Sequence, residues 1–423
     1  MPFSFFRSPA SRGLVNLYTG TFLSGMGWSM VFPGIAIMPS FFDVSIGAAA
    51  QVVTLYGIGR FAAMPVAGQI IDRAGSRASL IAGTILIASG AAMACIVPWF
   101  LLVLVASFVI GSGDGLWAMG REVSGVDLVK LDQRGRVLSG FHGMHSGGFA
   151  VGPLLGGILI ELANLRVMFA AYALLSVLAV ILAVFSHNAV AARNSKELQA
   201  LPDNKSSKNR IRRLLDLYLQ IDPGLRSTYL VFVFATAAAF MFRQTFQSIL
   251  PLYAESEAGL SAIEIGTLFS FSGVLILVMI LPVGFILDKI GRKWATVPST
   301  GLPAIAFLAL PFTDSFQMML VLVGLMGVAN GLSLGSLAAS TYDVVPESAR
   351  GRLQAARRMA AEVGGVGAPL VGGILMNFSG PGTPFLVYAP ILILASILLA
   401  FVAKETLVTV SYTHLTLPTI YSV

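Results

Sequence analysis

Apolar stretches of about twenty residues, the length a helix needs to cross a bilayer core, recur along the whole chain. They fall near 16–38, 47–70, 78–97, 101–124, 138–161, 166–186, 227–252, 262–287, 294–312, 315–340, 354–378 and 383–403. This pattern predicts an all-α integral membrane protein with twelve transmembrane helices. The first stretch has no small-residue cleavage site leading into a soluble domain, so it reads as a span and not a leader. Between the sixth and seventh stretches, 187–227 turns polar and includes KNRIRRLLDLYLQ at 208–220, a linker with the makings of a surface-lying amphipathic helix. Beyond Lys404 the sequence ends in SYTHLTLPTIYSV. Residues 404–423, His414 included, depart from the preceding composition and read as an appended tail outside the function.

The pattern repeats. GQIIDRAGSR at 68–77 aligns with GFILDKIGRK at 284–293, an offset of 216 residues. Without gaps, the same offset pairs Gly111, Gly115 and Leu116 with Gly327, Gly331 and Leu332, and Asp127 with Asp343. It also pairs Arg134-Gly135-Arg136 with Arg350-Gly351-Arg352, and Pro153-Leu154 and Gly156-Gly157 with Pro369-Leu370 and Gly372-Gly373. One register over about ninety residues is the mark of duplication. Two pseudo-symmetric six-helix bundles follow, 1–186 and 228–403.

Hydrophobic residues make up 56% of the chain and charged residues 11%, more apolar surface than a water-soluble fold can bury. The net charge of +7 would suggest nucleic acid in a soluble protein, but its placement points to a membrane. All of the 27 Lys and Arg except Arg60, Arg243 and Arg166 fall on one side when both termini are placed in the cytoplasm, as the positive-inside rule requires. Glu255, Glu257 and Glu264 fall on the other side. The expectation is a multi-pass protein of the inner (plasma) membrane, with the lipid bilayer as partner, no nucleic acid and a monomeric state. The single cysteine, Cys95, excludes disulfides within the chain and cysteine metal sites; no cofactor or metal is expected.

Gly68, Asp72 and Gly75, with Arg73 and Arg77 around them, recur as Gly284, Asp288 and Gly291 followed by Arg292. The first glycine of each set allows a neighbouring helix to approach, the aspartate can accept from helix N-termini, and the last glycine permits a sharp reversal. This duplicated pattern resembles the helix 2–3 and helix 8–9 signature of the major facilitator superfamily. The resemblance implies the major facilitator fold and a latch that holds the halves in the outward-open state. Asp288, Arg292 and Asp343 match its parts in the second copy; in the first, Ser76 stands at the Arg292 position, leaving Asp127 to Arg73, Arg77 or solvent. GFAVGPLLGG at 148–157 matches that family's antiporter signature. Pro153 bends the helix and Gly148, Gly152, Gly156 and Gly157 form a smooth face for sliding on the other half, with Pro369 repeating the bend. A kinked packing helix without functional direction is the alternative. The helix 4 Arg-Gln-Gly pattern associated with proton coupling is absent, with Ser107 at its Arg position.

Ionisable side chains at bilayer depth cost about 2.5–3.5 kcal/mol each and mark pathways or pairs. Arg60 stands twelve residues before Asp72 and Asp114 thirteen before Asp127, so the two lie at similar depth. In the second half both charges vanish together, to Ile276 and Asn330. They are expected to pair, either as a proton-coupled switch or as a permanent brace. Arg243, followed by Gln244 and Gln247, is a substrate contact or a buried partner of Glu362, which can also meet Arg358 one turn earlier. Trp28 and Asn330 complete the substrate-contact candidates; Asp114, Arg60, Glu362 and His145, an imidazole suited to titration near neutrality, are the proton-coupling candidates. Arg121 and Glu122 read as gate or loop anchors.

No catalytic constellation stands out: no paired His ligands and no GxxxxGK loop. The expected function is secondary transport of a small solute by alternating access, with protons as partner. Proton-coupled export of an amphipathic or anionic compound leads; proton-linked uptake and a non-transporting receptor or scaffold are the alternatives.

Overall fold

In the computed structural model, residues 9–130, 133–185, 217–333 and 335–407 are described; the linker and tail expectations fall largely outside them. Six helices form the first bundle: α1 Pro9–Phe42, α2 Ile46–Ala74, α3 Ser76–Ile96, α4 Phe100–Asp127, α5 Arg134–Leu162 and α6 Leu165–Val184. Six more spans form the second: α7 Arg226–Ser256, α8 Ala262–Phe285, α9 Lys293–Ala309, α10 Phe316–Ser333, α11 Arg350–Ser379 and α12 Thr383–Phe401. All twelve spans are long and apolar enough to cross a membrane. Several begin before their apolar stretch does, α5 and α11 at the basic Arg134 and Arg350, because hydropathy marks only the lipid-immersed part of a helix.

Capping residues set the helix starts on the face away from the linker. Ser45 accepts from Ala48 N before α2 and Asn164 from Val167 N before α6, while Ser261 and Glu264 form a reciprocal capping box at α8. On the linker side the reversals fall on Gly75 and Gly291, with φ of 87° and 147°, as their duplicated positions predict. Two irregularities belong to the second bundle alone. The α8 helix ends in a π turn, Ile286–Ile290, carrying Asp288. The tenth span breaks after Ser333 at Gly335, φ 75°, and resumes as Ser336–Val344.

The 216-residue register extends into packing. Gly111 of α4 lies against the Tyr56 carbonyl of α2, and its counterpart Gly327 against the Ser272 carbonyl of α8, where a Cβ would come within 2.0 and 2.9 Å. Arg77 donates to the Val184 carbonyl at the end of α6, and Lys293 to the Ala400 carbonyl at the end of α12. Each half therefore pins the start of its third helix to the end of its sixth in the same way.

The halves meet through α5 on α8, α2 on α11, and α1 on α7 and α8, and they are sealed at the end far from the linker. There a Cβ on Gly157 would lie 2.3 Å from the Ala262 carbonyl, and one on Gly47 would lie 2.0 Å from that of Gly373. Deeper in, Phe32, Phe269 and Phe246, fully buried, link the bundles ring to ring at 5.2 and 4.7 Å. At the linker end four glycines are open. A Cβ on Gly68, Gly284, Gly135 or Gly351 would meet nothing within 4 Å. The expectation that Gly68 and Gly284 admit a neighbouring helix is thus not met here, because the ends that would supply the neighbour stand apart.

The glycine face of α5 is also reassigned. Gly148, Gly152 and Gly156 pack on α1 of their own half, against Phe22, Met26 and Met30, and only Gly157 meets the other half. The sliding surface is completed from α8, where Gly266 admits the Pro153 carbonyl and Gly273 admits Ala150.

Candidate functional site

The intramembrane charges of the two bundles lie within electrostatic range of one another. Asp114 of α4 meets Arg60 of α2, Oδ2 to Nε 3.2 Å. Arg60 keeps 36% of its side-chain exposure, against 14% for Asp114. Ser112 ties the same two helices by donating to the Gly59 carbonyl at 3.3 Å. The Tyr56 hydroxyl lies within hydrogen-bonding reach of the Asp114 carboxylate, and Tyr172 lies within its electrostatic range. Trp28, expected as a substrate contact, is not exposed. It is buried and stacks on Tyr56, ring centroids 3.6 Å apart and planes 10° from parallel, so it backs the tyrosine that faces Asp114.

Arg243 of α7 does not pair with Glu362. Its Nε–H donates to Asn330 Oδ1 and its Nη2 to Ser333 Oγ, both at 3.0 Å, and the guanidinium lies over the Phe240 ring at 5.2 Å. Ser333 in turn donates to the Asn330 carbonyl at 2.9 Å, which fixes its hydroxyl at the end of the first α10 segment. Glu362 instead meets Arg358 one turn back on α11, at 3.7 Å. Gln244 packs beside Gly365 and Gly57 between the halves, and Gln247 is half-buried.

Charges from both bundles act on one another. Arg60 feels Glu362 and Glu122; Arg243 feels Arg60, Arg358 and Glu362. His145 is accessible although it lies deep in the protein beside Gly25, in range of Arg121, Asp114, Arg60 and His142. Arg121 lies within α4, over the Phe141 ring of α5 at 5.1 Å, and not in a loop. Among the described residues no cluster of His, Cys, Asp or Glu could hold a metal ion.

At the linker end Arg292 and Asp343, expected as parts of the second latch, form an ion pair within the second half. Arg292 Nε donates to Asp343 Oδ2 at 3.1 Å, joining α9 to the resumed tenth span. Residues past Lys404 reinforce it. The Glu405 carboxylate accepts from the backbone N–H groups of Arg292 and Lys293 at 2.9 and 3.1 Å, and the Thr406 hydroxyl donates to Asp343 at 3.1 Å. The folded bundle therefore continues through Leu407. In the first copy, Ser124 donates to Ser76 Oγ at 2.8 Å in place of the ion pair. Asp72, Arg73 and Asp127 are exposed and Asp288 lies exposed on its π turn. The aspartates form no ion pair among the described residues, because no helix end from the other half reaches them.

The sequence profile of the Major Facilitator Superfamily matches residues 17–232 and 232–412. The chain belongs to the major facilitator superfamily. Multidrug resistance protein 1 of Bacillus subtilis (strain 168) is 21% identical over 367 residues, 86% of this chain and 90% of the relative. Multidrug resistance protein 2 of the same organism is 21% identical over 396 residues, 92% and 95% of the two chains. Among solved structures, a D-xylose–proton symporter superposes with a TM-score of 0.74 at 15% identity, covering 94% of this chain and 99% of that one. A POT family transporter in complex with a thioalcohol-conjugated peptide superposes at 0.73 and 13%, covering 92% and 95%. This major facilitator protein is a multi-pass membrane transporter.

Several contributors escaped the sequence reading although the register points to them. Glu161 accepts from Ile263 N at 2.9 Å, and Asn377 from Gly47 N at 3.0 Å; both pairs are related by 216 residues. Gln51, reaching the Pro369 carbonyl at 3.4 Å, and Ser270, accepting from Leu154 N at 3.1 Å, add to the same seal. They went unnoticed because only identical residues in the two halves were conspicuous, whereas a gate conserves geometry with different side chains.

Proposed function

We propose that this transporter exports an amphipathic or anionic solute in exchange for protons. The observation that carries it is the Arg60–Asp114 pair, set at bilayer depth yet partly exposed. An acid whose negative charge is held by a neighbouring cation, within reach of water, can exchange that cation for a proton. Arg60 is then released toward Glu362 or the solute. His145 and the Arg358–Glu362 pair lie in the same electrostatic field and couple to this exchange. The names of the two Bacillus subtilis relatives favour efflux. The linker end faces the cytoplasm of a plasma-membrane protein acting as a monomer, so the solute loads from inside. The Gly157, Gly266 and Gly273 contacts form the seam that must part for release, while the bends at Pro153 and Pro369 give each half its rocking element. Closure of the linker end would bring Gly68, Asp72 and Arg73 against the second half and Gly284 and Asp288 against the first.

Solute flux in proteoliposomes under an imposed pH gradient tests this. Solute moving against the proton gradient, and losing that dependence in Asp114→Asn, is expected. Accumulation together with inward protons would replace export by uptake, and unaltered gradient-driven flux in Asp114→Asn would remove the coupling role.

A further inference from the structure

The two halves treat their intramembrane arginines differently. In the first, Asp114 neutralises Arg60. In the second, the residue at the duplicated position is Asn330, and it holds Arg243 by hydrogen bonding without supplying charge. Ser333, the Phe240 ring and Asn330 are all neutral. The other arginines with ion pairs, Arg292, Arg350 and Arg358, meet Asp343, Glu347 and Glu362. Around Arg243 the field is set by two cations, Arg60 and Arg358, and one acid, Glu362, which Arg358 already engages.

The hydrogen bonding also leaves part of the guanidinium unused among the described residues. Asn330 and Ser333 occupy the edge of the guanidinium formed by Nε and Nη2, and no described residue accepts from Nη1. The remaining edge, Nη1 with the second hydrogen of Nη2, is the fork that matches two oxygens of a carboxylate or sulfonate. Phe240 covers one face of the group.

Resting on the transport reading above, we infer that Arg243 selects for organic monoanions, which complete at Arg243 the neutralisation that Asp114 provides for Arg60. Asn330 and Ser333 are positioning residues that keep the fork turned toward the solute. The carboxyl or sulfonyl headgroup is the recognised element, and the apolar remainder lies between the bundles.

The test uses the full chain purified in detergent. Without ligand, Asn330→Asp, which keeps the side-chain shape and adds the missing charge, is expected to raise the thermal midpoint by several degrees; Arg243→Gln serves as the second variant. Benzoate, 2-naphthoate and 2-naphthalenesulfonate are then titrated against benzamide, 2-naphthamide and 2-naphthylmethylamine. Wild type is expected to prefer the anions by about tenfold or more, one charge-assisted contact, and each variant to lose that preference. An unchanged or lowered midpoint in Asn330→Asp overturns the inference. So do wild type that ignores all three anions or binds the amides or amines equally well, and variants that retain the preference. Flux of 2-naphthoate in proteoliposomes separates this from the transport reading: anions that bind but never cross leave the recognition site standing and remove transport, whereas solute flux without anion preference does the reverse.

Discussion

Glu161 and Asn377 occupy duplicated positions at the far ends of α5 and α11, and each accepts the backbone N–H of a residue in the first turn of a helix in the opposite half, Ile263 and Gly47. A free helix N-terminus has unpartnered N–H groups, and here the other bundle satisfies one of them on each side of the pseudo-twofold axis. The caps exist only while the far end is shut. Glu161→Ala and Asn377→Ala should each weaken closure by about 1 kcal/mol, the usual worth of a cap, or about a fivefold shift toward the state open at that end. The readout is labelling of Gln51→Cys, in a Cys95→Ser background, by an impermeant maleimide supplied from that side.

Gly266→Val should act more strongly. A Cβ at Gly266 would stand 2.4 Å from the Pro153 carbonyl, a backbone atom that cannot step aside. The seam is expected to stay open, with high Gln51→Cys labelling and solute flux lost. Gly284→Ala is the complementary case. Its Cβ meets nothing here, so the thermal midpoint should not change, and any loss of flux would report a contact made only when the linker end closes.

Asp114→Asn leaves Arg60 without its counter-charge. Breaking a fully buried pair costs about 3–5 kcal/mol, and the 36% exposure of Arg60 brings the expected loss down to about 1–3 kcal/mol. Adding Arg60→Ile writes the second half's Ile276 and Asn330 into the first. The double variant should recover most of the stability in thermal unfolding while gradient-driven flux remains absent. Recovery of both would reduce the pair to a brace.

Glu405 gives the linker end of the second half a pH dependence. Burial alone would raise its carboxyl, but four backbone N–H groups, of Leu407, Lys293, Arg292 and Thr406, outweigh it and hold the group below its ordinary value. A carboxylate depressed on folding stabilises above its unfolded pKa, and the contribution is lost as pH falls through the lower folded value. Acidification through the carboxylate range should therefore loosen the Arg292–Asp343 end of the structure. Glu405→Gln should remove that pH dependence of the thermal midpoint and cost about 0.5–1 kcal/mol at neutral pH, the low end for a cap, because Glu405 is exposed. Removing residues 404–423 should have the same effect at least in part; a midpoint indifferent to both changes would show the strap to be passive.

The twelve spans, the duplication and the glycine reversals at 75 and 291 were legible from the sequence because each is local. A bilayer demands apolar runs of fixed length, and a positive φ demands glycine. The pairing of Arg60 with Asp114 was legible for a related reason, since helical rise fixes depth and joint loss of both charges in the other half links them. Arg243 was located correctly in the chain, but its partners were not. Glu362 was the partner the sequence offered, and only the tertiary fold brings Asn330 and Ser333 to the guanidinium. Trp28 was misplaced because a tryptophan in the first span has several faces to choose from, and its own bundle supplies the Tyr56 stack.

The sequence by itself determined a twelve-span duplicated protein with unduplicated charges at mid-depth, since length, hydropathy and repeat register need no knowledge of neighbours. Tertiary structure decided which end is sealed, which glycines face the other half, and which arginine is held without being neutralised. Those outcomes depend on the rotation of each helix about its axis and on the relative tilt of the two bundles. Both are set by side-chain contacts between segments hundreds of residues apart, such as Gly47 with Asn377, and no local pattern encodes them.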